Sequence, residues 1–263
     1  MRVHMLGTGG ATNECRNQAS LLVEDGRGEL VLLDTGSGMS VVRALMSADC
    51  DPRQVRHIFV SHRHMDHAGG LEPLLLWLLV EAGAHIDHPV SVYSDARTID
   101  ALQRMFAAIA TVVPDIYGER LRWQALQPGV ATRISSGMTV TAFAVDHLPE
   151  DGGAQGCLLQ ADGRRIAYSG DTRPSASLVA ACHGVNALFH EAGGLDGDAE
   201  HVHLVGHSTA ADASRAASQA GAERLILTHF PDDNLVEPML AEATAHFPRG
   251  GVDMAFDGMV FDL

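Results

Sequence analysis

The chain has 263 residues, enough for one large domain or two small ones with a sizeable hydrophobic core. Apolar residues make up 46% of the sequence and charged residues 19%, which argues against intrinsic disorder, collagen-like repeats and coiled coil. Acidic residues outnumber basic residues by 33 to 18, and a formal charge of −15 disfavours binding to bulk nucleic acid and to anionic membranes. We therefore expect a folded protein without non-specific affinity for polyanions.

The cysteine pattern and the hydropathy predict a cytoplasmic protein. Neither a disulfide framework nor a cysteine zinc site is indicated, because no C-x-x-C pair occurs among Cys15, Cys50, Cys157 and Cys182. Residues 1–10 lack the apolar run of a signal peptide. The longest apolar run, residues 74–80, is far shorter than the ~18 residues that a membrane helix needs.

Strands and helices are predicted along the whole chain, in a mixed order. Short apolar segments bounded by Gly, Asp or Pro predict strands at 3–6, 19–23, 30–34, 57–60, 90–93, 139–145, 156–160, 165–169, 187–190, 224–228 and 252–256. Apolar spacings of three and four predict helices at 39–48, 71–82, 98–110, 177–182, 209–220 and 236–246. Each half has hairpin-like strands followed by βα units, so we expect two sheets packed face to face with helices outside. No linker separates the halves, and we expect a single domain over 1–263.

The strongest chemical signal directly follows the predicted strand at 57–60. His62, His64, Asp66 and His67 form the pattern H-x-H-x-D-H on a tight loop. Such closely spaced imidazole and carboxylate groups can converge on one point, and they are the donors that zinc and similar metals bind. The alternative is a solvated polar loop, in which four ligand-type residues would share this spacing by chance. The pattern predicts a metal site.

Three further residues can complete that site. His147, Asp171 and His229 each follow a predicted strand. Taken singly, each would more often be a surface or capping residue, since His and Asp are common in loops. The recurrence of an apolar strand followed by His or Asp favours a shared site at the strand ends.

These motifs resemble those of the metallo-β-lactamase superfamily over nearly the whole chain. The resemblance implies an α/β fold with four αββα layers and a two-metal site between the sheets, holding two Zn²⁺, with Mn²⁺ or Fe as alternatives. It places one ion on His62, His64 and His147 and the other on Asp66, His67 and His229, with Asp171 as the bridge. Di-iron members that reduce oxygen carry a carboxylate at the second motif histidine. Because His64 stands at that position, redox chemistry is disfavoured.

Local motifs are most similar to the ribonuclease Z branch and its phosphodiesterase and arylsulfatase relatives. The matching segments are 6–10, 16–17, 168–174, 190–192, 207–211 and 227–230. By this resemblance, Glu191 and His207 act as an acid pair. From its residues alone, His207 is better interpreted as a helix-terminal neighbour of the Ser208 cap.

Two departures from that branch are visible. Bacterial ribonuclease Z proteins similar to this chain carry a long Gly- and Pro-rich arm between the third histidine and the bridging aspartate, and the arm grips transfer RNA. Here only residues 148–170 intervene, and the acidic segment 148–153 can form at most a small flap. The family's H-E-A-T motif also ends in Gly193. Both differences argue against dedicated transfer-RNA maturation.

Other motifs receive structural interpretations. His201 and His203 lie in the segment 193–206 and could contact metal, but a mobile solvated loop is the favoured expectation. Asp34 is expected to support the metal loop from beneath. Residues 7–12 lack the last glycine of a dinucleotide fingerprint, and no G-x-S-x-G elbow accompanies a serine, so neither a nicotinamide site nor serine hydrolysis is predicted.

The favoured function is a dinuclear-metal hydrolase of phosphodiesters, acting on a small molecule or an RNA 3′ end. A hydroxide between the metals is the expected nucleophile, Asp66 aims it, and His207, steadied by Glu191, acts as the general acid. Arg16 and Arg173 are candidate phosphate contacts. The alternatives are hydrolysis of a sulfate ester, lactone or β-lactam, and a non-catalytic metal-binding domain. The family resemblance further implies a homodimer.

Overall fold

The computed structural model describes residues 1–81, 88–109, 115, 117–148, 152–248 and 250–263. Within these ranges, fourteen β-strands form two sheets and eight α-helices accompany them. The strands are β1 (Arg2–Gly7), β2 (Ser20–Glu24), β3 (Leu30–Leu33), β4 (His57–Phe59), β5 (Val90–Ser94), β6 (Leu121–Ala125), β7 (Ala131–Arg133), β8 (Thr139–Ala144), β9 (Gln155–Ala161), β10 (Arg164–Tyr168), β11 (Ala187–Glu191), β12 (Arg224–Thr228), β13 (Gly251–Met254) and β14 (Val260–Asp262). The helices are α1 (Ser40–Ser47), α2 (Met65–Ala68), α3 (Leu71–Glu81), α4 (Ala96–Ile109), α5 (Ala176–Ala181), α6 (Ala199–Leu204), α7 (Ala210–Ala220) and α8 (Val236–His246).

The two sheets have matching topologies. The described strands of the first sheet lie in the order β14-β1-β2-β3-β4-β5-β6, and those of the second in the order β13-β12-β11-β10-β9-β8-β7. In the first sheet β1 to β3 pair antiparallel and β3 to β6 pair parallel. The second sheet repeats this, with β7 to β10 antiparallel and β10 to β13 parallel. The repeated strand pattern predicted from the sequence is confirmed.

The inner core lies between the sheets, because alternate residues of each strand face the opposite sheet. Val31 and Leu33 of β3 belong to one buried cluster with Leu159 of β9 and Phe189 of β11. Leu32, between them, belongs instead to a second cluster. Both faces of each sheet are therefore apolar, which explains the nearly continuous apolar runs in the sequence.

Helices cover the outer faces of both sheets. Against the first sheet, Leu45 of α1, Leu74 of α3 and Phe106 of α4 pack in one cluster. Against the second, the corresponding contacts come from Leu178 of α5, Ala217 of α7 and Met239 of α8. The predicted α/β class with four αββα layers is thus confirmed. Among the described helices, none combines the length and the apolar character needed to cross a bilayer.

Three strands were not predicted from the sequence, and all three lie at sheet edges. These are β6, β7 and β14, each paired with a described strand on one side. An edge strand is only partly covered, so its apolar alternation is weak; the three residues of β7 are exposed or half-buried. The predicted strands and helices otherwise agree with the observed elements within about two residues at each end. The predicted ends at Ala82 and Ala110 lie outside the described residues.

Two predictions about loops were wrong. The motif segment after β4 was expected to be a tight loop, but Met65–Ala68 form the single helical turn α2. The segment 193–206 was expected to be a loop, but residues Ala199–Leu204 form α6. This helix has only six residues and a polar sequence, so the 3.6-residue apolar repeat that signals a helix has no room to develop. Val202 is its buried anchor, with 2% of its surface exposed.

The topology brings the chemically active loops to one edge. The strands β8, β10, β11 and β12 run in the same direction, and at their carboxyl ends lie His147, Asp171, Glu191 and His229. The loop after β4 meets them from the first sheet. Ligand sites of α/β proteins commonly lie at this edge of a sheet.

Candidate metal centre

The motif loop begins where β4 ends and is fixed by Asp34. The Asp34 carboxylate accepts hydrogen bonds from the Ser61 amide at 2.7 Å and from the Ser61 hydroxyl at 2.7 Å. After His64 the chain enters α2, which carries Asp66 and His67 in its single turn. The compact turn buries both side chains, and the centroid of the His67 ring lies 4.2 Å from that of His62.

The first cluster comprises three imidazoles and one carboxylate. Its ligand atoms lie within 4.8 Å of one another and belong to His62, His64, His147 and Asp171. His147 Nε2 is 3.1 Å from His64 Nδ1, and both His62 Nε2 and His147 Nε2 are 3.7 Å from Asp171 Oδ2. The structure thus brings together the residues that the resemblance assigned to one ion.

The second cluster shares Asp171 with the first. It consists of Asp66, His67, Asp171 and His229, again with ligand atoms within 4.8 Å. Asp171 Oδ2 is 3.2 Å from His67 Nε2, while its Oδ1 is 3.4 Å from His229 Nε2. Asp171 therefore lies between the two groups, at the position expected of a bridging carboxylate.

The donor atoms fit divalent metal ions. At the site, His62 Nε2, Asp171 Oδ1 and His229 Nδ1 are buried without a hydrogen-bond partner, as are some polar atoms elsewhere in the described residues. Buried polar atoms are rarely left unpaired, and a bound ion would satisfy the two that face the clusters, His62 Nε2 and Asp171 Oδ1. Imidazole nitrogens with carboxylate oxygens are a donor set that zinc and related divalent metals accept.

Neighbouring groups fix which imidazole nitrogen faces the clusters. His67 Nδ1 donates to Asp34 at 2.8 Å, and His147 Nδ1 donates to the Gly206 carbonyl at 2.8 Å. Each ring therefore presents Nε2 to the ligand clusters. Tyr168 also donates to Asp34, at 2.7 Å, so Asp34 has the supporting role that its position suggested.

Electrostatics favour the metal-binding forms of His62 and Asp66 but the protonated form of His67. Burial opposes a charge on the His67 ring, yet the carboxylates of Asp171 and Asp34 raise its pKa well above its ordinary value, so a metal bound there would displace this proton. Burial, together with the neighbouring imidazoles, holds the pKa of His62 well below its ordinary value, so this ring is neutral near pH 7. Burial opposes ionisation of Asp66, but its hydrogen bond with His229 and the charge of His67 lower its pKa to about 2. Neutral imidazole and ionised carboxylate are the forms that bind metal.

Glu191 and His207 form a pair beside the second cluster. His207 Nδ1 lies 3.1 Å from both Glu191 carboxylate oxygens, and Glu191 also accepts the Thr172 amide at 2.6 Å. Burial disfavours the charged ring, but the Glu191 carboxylate outweighs it and raises the pKa of His207 to about 9. The ring is therefore protonated at neutral pH. Glu191, His207 and His229 also form a third set of potential ligands.

A cavity of about 460 Å³ opens above these residues. His64, Asp66, Asp171, His207 and His229 all contribute to its lining. Its volume lies within the ~300–1,000 Å³ range of small-molecule sites.

The two candidate phosphate-binding arginines are held by protein groups. Arg16 pairs with Asp233 at 2.6 Å and lies over the rings of Phe230 and Phe256. Arg173 Nε donates to the His203 carbonyl at 2.6 Å. The role of Arg16 and Arg173 as phosphate contacts stays a prediction.

The fold and the donor set together define a class of protein. A family model of the β-lactamase superfamily domain matches residues 30–230, which is most of the chain. The chain belongs to the metallo-β-lactamase superfamily.

Individual relatives indicate which branch of the superfamily the chain resembles. The chain is 27% identical to ribonuclease Z of Bacillus velezensis, in an alignment that covers 98% of each protein. Its structure is similar to that of the metallo-β-lactamase fold protein YhfI from Bacillus subtilis, with a TM-score of 0.83, 20% identity and coverage of 99% and 98% of the two chains. It is also similar to the short form of human tRNase Z, with a TM-score of 0.77, 24% identity and coverage of 100% and 99%. The predicted resemblance to the ribonuclease Z branch is confirmed.

Some residues that line the cavity carry no recognisable sequence signal. Val202 and Val205, in and just after α6, line it together with His201 and Pro231. No motif marks them, because an apolar residue in a short polar helix carries no chemical signature. His201 was expected to lie in a mobile loop, with contact to the metal as the alternative.

Proposed function

We propose that the protein is a dinuclear-metal phosphodiesterase that cleaves a small phosphodiester or an RNA 3′ end. The observation that carries this proposal is one cavity lined both by ligand-cluster residues and by the protonated His207 of the Glu191 pair. The superfamily membership and the ribonuclease Z likeness support the same chemistry. We propose two Zn²⁺ ions, one on each cluster.

Net charge at the centre favours an anionic substrate. Two divalent cations bring four positive charges, and the carboxylates of Asp66 and Asp171 offset about two of them. When bound, such ions lower the pKa of water from ~15.7 toward ~7 and offset negative charge on the phosphate oxygens. Asp66 is ionised at neutral pH, so its carboxylate can accept a hydrogen bond from the attacking water and orient it toward phosphorus.

His207 completes the reaction by supplying a proton. Its Nδ1 is held by Glu191, so Nε2 is the nitrogen left to donate. The attacking water would have lost one proton to solvent beforehand. As its oxygen bonds to phosphorus and the bond to the ester oxygen breaks, the departing alkoxide takes the Nε2 proton. General acid help of this kind is worth ~10²- to 10⁴-fold.

A panel of esters tests the proposal against its alternatives. Protein reconstituted with Zn²⁺ or with Mn²⁺ is assayed on bis-p-nitrophenyl phosphate, p-nitrophenyl sulfate, a γ-lactone and a β-lactam. The proposal expects the phosphodiester to have the highest kcat/KM. A higher kcat/KM for the sulfate ester, the lactone or the β-lactam would contradict the phosphodiesterase proposal and identify the protein as a hydrolase of that substrate.

A further inference from the structure

One side of the cavity is built by α6 and the residues that flank it. Asp198, His201, Val202 and Val205 line the cavity together with the ligand-cluster residues, and we call these four residues the α6 wall. None of the four belongs to a potential metal-binding cluster of the described residues. The α6 wall therefore faces the substrate without a part in the proposed chemistry.

The α6 wall is held in place by contacts on its other faces. His203 Nε2 lies 2.7 Å from Asp212 Oδ2 of α7, and the His203 carbonyl accepts the Arg173 guanidinium at 2.6 Å. The His207 amide donates to the Val202 carbonyl at 3.0 Å. The wall is thus tied to the chain segment that carries His207, and its shape is formed before substrate binds.

The charge of the cavity is unsuited to a second phosphate. All 18 basic residues of the sequence are arginines, and none of them lies among the described residues that line the cavity. Asp198 instead adds a carboxylate, and its side chain makes no cap hydrogen bond at the start of α6. A phosphate beyond the one at the metal centre would meet this negative charge with no arginine on the described lining to offset it.

The cavity also offers apolar surface. Val205 is 52% exposed, although large apolar side chains of this fold are mostly buried. Ala11 and Pro231 line the same cavity. Apolar surface beside a few convergent polar groups is the usual composition of a small-molecule site.

We propose that the α6 wall selects the substrate class of the site: a small diester with a single phosphate, whose non-leaving ester group is uncharged and apolar or aromatic. Diesters that carry an additional phosphate, as every RNA chain does, are disfavoured by Asp198. The inference rests on the proposed phosphodiesterase function and specifies which phosphodiesters it takes.

The charge selection is tested with two substrates that differ by one phosphate. These are thymidine 5′-(p-nitrophenyl phosphate) and its 3′-phosphorylated form, which share the leaving group. For the Zn²⁺-loaded wild-type protein we expect kcat/KM to be about 10-fold lower with the 3′-phosphate. Asp198→Arg should abolish that difference and Asp198→Asn should reduce it. Glu200→Arg, which makes the same charge change on an exposed α6 residue outside the lining, should leave the ratio unchanged.

The apolar selection is tested with bis-p-nitrophenyl phosphate and methyl p-nitrophenyl phosphate, which differ only in the non-leaving ester group. Wild-type protein should prefer the aryl group by about 10-fold, and Val205→Asn should lose most of that preference. Leu204→Asn is the matched control, because Leu204 is 76% exposed and does not line the cavity.

The outcomes separate this inference from the function on which it rests. Hydrolysis of none of these diesters by the metal-loaded protein would overturn the phosphodiesterase function and the inference with it. Hydrolysis with equal kcat/KM within each pair would overturn the inference alone. The inference would also be wrong if the Asp198 and Val205 variants, folded by circular dichroism, kept the wild-type ratios.

Discussion

At the scale of single residues, the centre depends on side chains that reach it from both sheets. His62 and His64 come from the first sheet, and His147 and Asp171 come from the second. The distances between ligands of opposite sides therefore depend on how the two sheets pack. A ligand lost on one side leaves the donors of the other side buried and unsatisfied.

Replacement of a ligand should remove both metal and activity. We expect His64→Ala or His147→Ala to lower phosphodiester hydrolysis at least ~100-fold, because removing even a supporting partner of a metal ligand typically costs ~10- to 100-fold. Elemental analysis of the purified variants should show less metal per chain. His183→Ala, at an exposed histidine outside the clusters, is the control and should match wild type. Full activity in His147→Ala would show that His147 is not a required metal ligand.

His207 should matter only when the leaving group needs a proton. The p-nitrophenolate ion leaves unaided, whereas an alkoxide requires protonation, so His207→Ala should spare bis-p-nitrophenyl phosphate and slow an alkyl diester by ~10²- to 10⁴-fold. Metal content should be unchanged. Equal losses of activity on both substrates would show that His207 binds substrate. No loss of activity on either substrate would show that His207 is only a structural neighbour of the Ser208 cap.

The pH profile provides an independent check on the same pair. With its pKa raised to about 9, His207 loses its proton as the pH rises through that value, so hydrolysis of alkyl diesters should fall there. Glu191→Gln removes the carboxylate that stabilises the charged ring, and the fall should move to lower pH. The profile for bis-p-nitrophenyl phosphate should not move with this substitution.

The sequence predicts a site residue only when a short local pattern marks that residue. His62, His64, Asp66 and His67 stand within six positions, and the remaining ligands directly follow apolar strands. The contact of Tyr168 with Asp34 joins residues 134 positions apart, and no local pattern encodes it. Positions lining the site by shape, such as Val205, are likewise defined only by the folded chain.

At the scale of elements, the sequence best predicts strands whose two faces are both buried by neighbouring layers. Central strands such as β3, with four buried residues, carry continuous apolar signals. The edge strands β6, β7 and β14 and the short helices α2 and α6 lack such signals, and these elements were not predicted from the sequence. One of them, α6, forms a wall of the cavity.

The start of α7 offers a test at this scale. The Thr209 hydroxyl accepts the Asp212 amide, and the Asp212 carboxylate accepts the Thr209 amide, which forms a capping box. Thr209→Ala should lower the free energy of unfolding by about 1 kcal/mol, the usual cost of a lost N-cap. Denaturant titration measures the change, with Thr244→Ala on the exposed face of α8 as a control that should not destabilise. An unchanged unfolding midpoint for Thr209→Ala would show that the box contributes nothing.

At the scale of the whole molecule, charge and size bear on the RNA question. The chain carries a net charge of −15, and only residues 148–170 separate His147 from Asp171, where similar bacterial ribonuclease Z proteins carry an arm. Contacts with distant phosphates supply much of the affinity for nucleic acid. The homodimer implied by the family resemblance stays a prediction, which sedimentation can test.

Precursor transfer RNA should therefore be a poor substrate. We expect its kcat/KM to be at least ~10-fold below that of a small aryl diester, and its binding to depend only weakly on salt because few phosphates are neutralised. Side-by-side kinetics at two salt concentrations measure both quantities. A clear preference for precursor transfer RNA would mean that another surface of the protein or of its assembly replaces the arm.

The central claim is that catalysis requires both ligand clusters to be filled. The most direct measurement is a titration of chelator-treated protein with Zn²⁺, in which hydrolysis of bis-p-nitrophenyl phosphate and bound metal are followed together. We predict no activity without metal and maximal activity at two ions per chain, when both of the clusters that share Asp171 hold an ion. Full activity of the metal-free protein, or a maximum at one ion per chain with no further change, would contradict it.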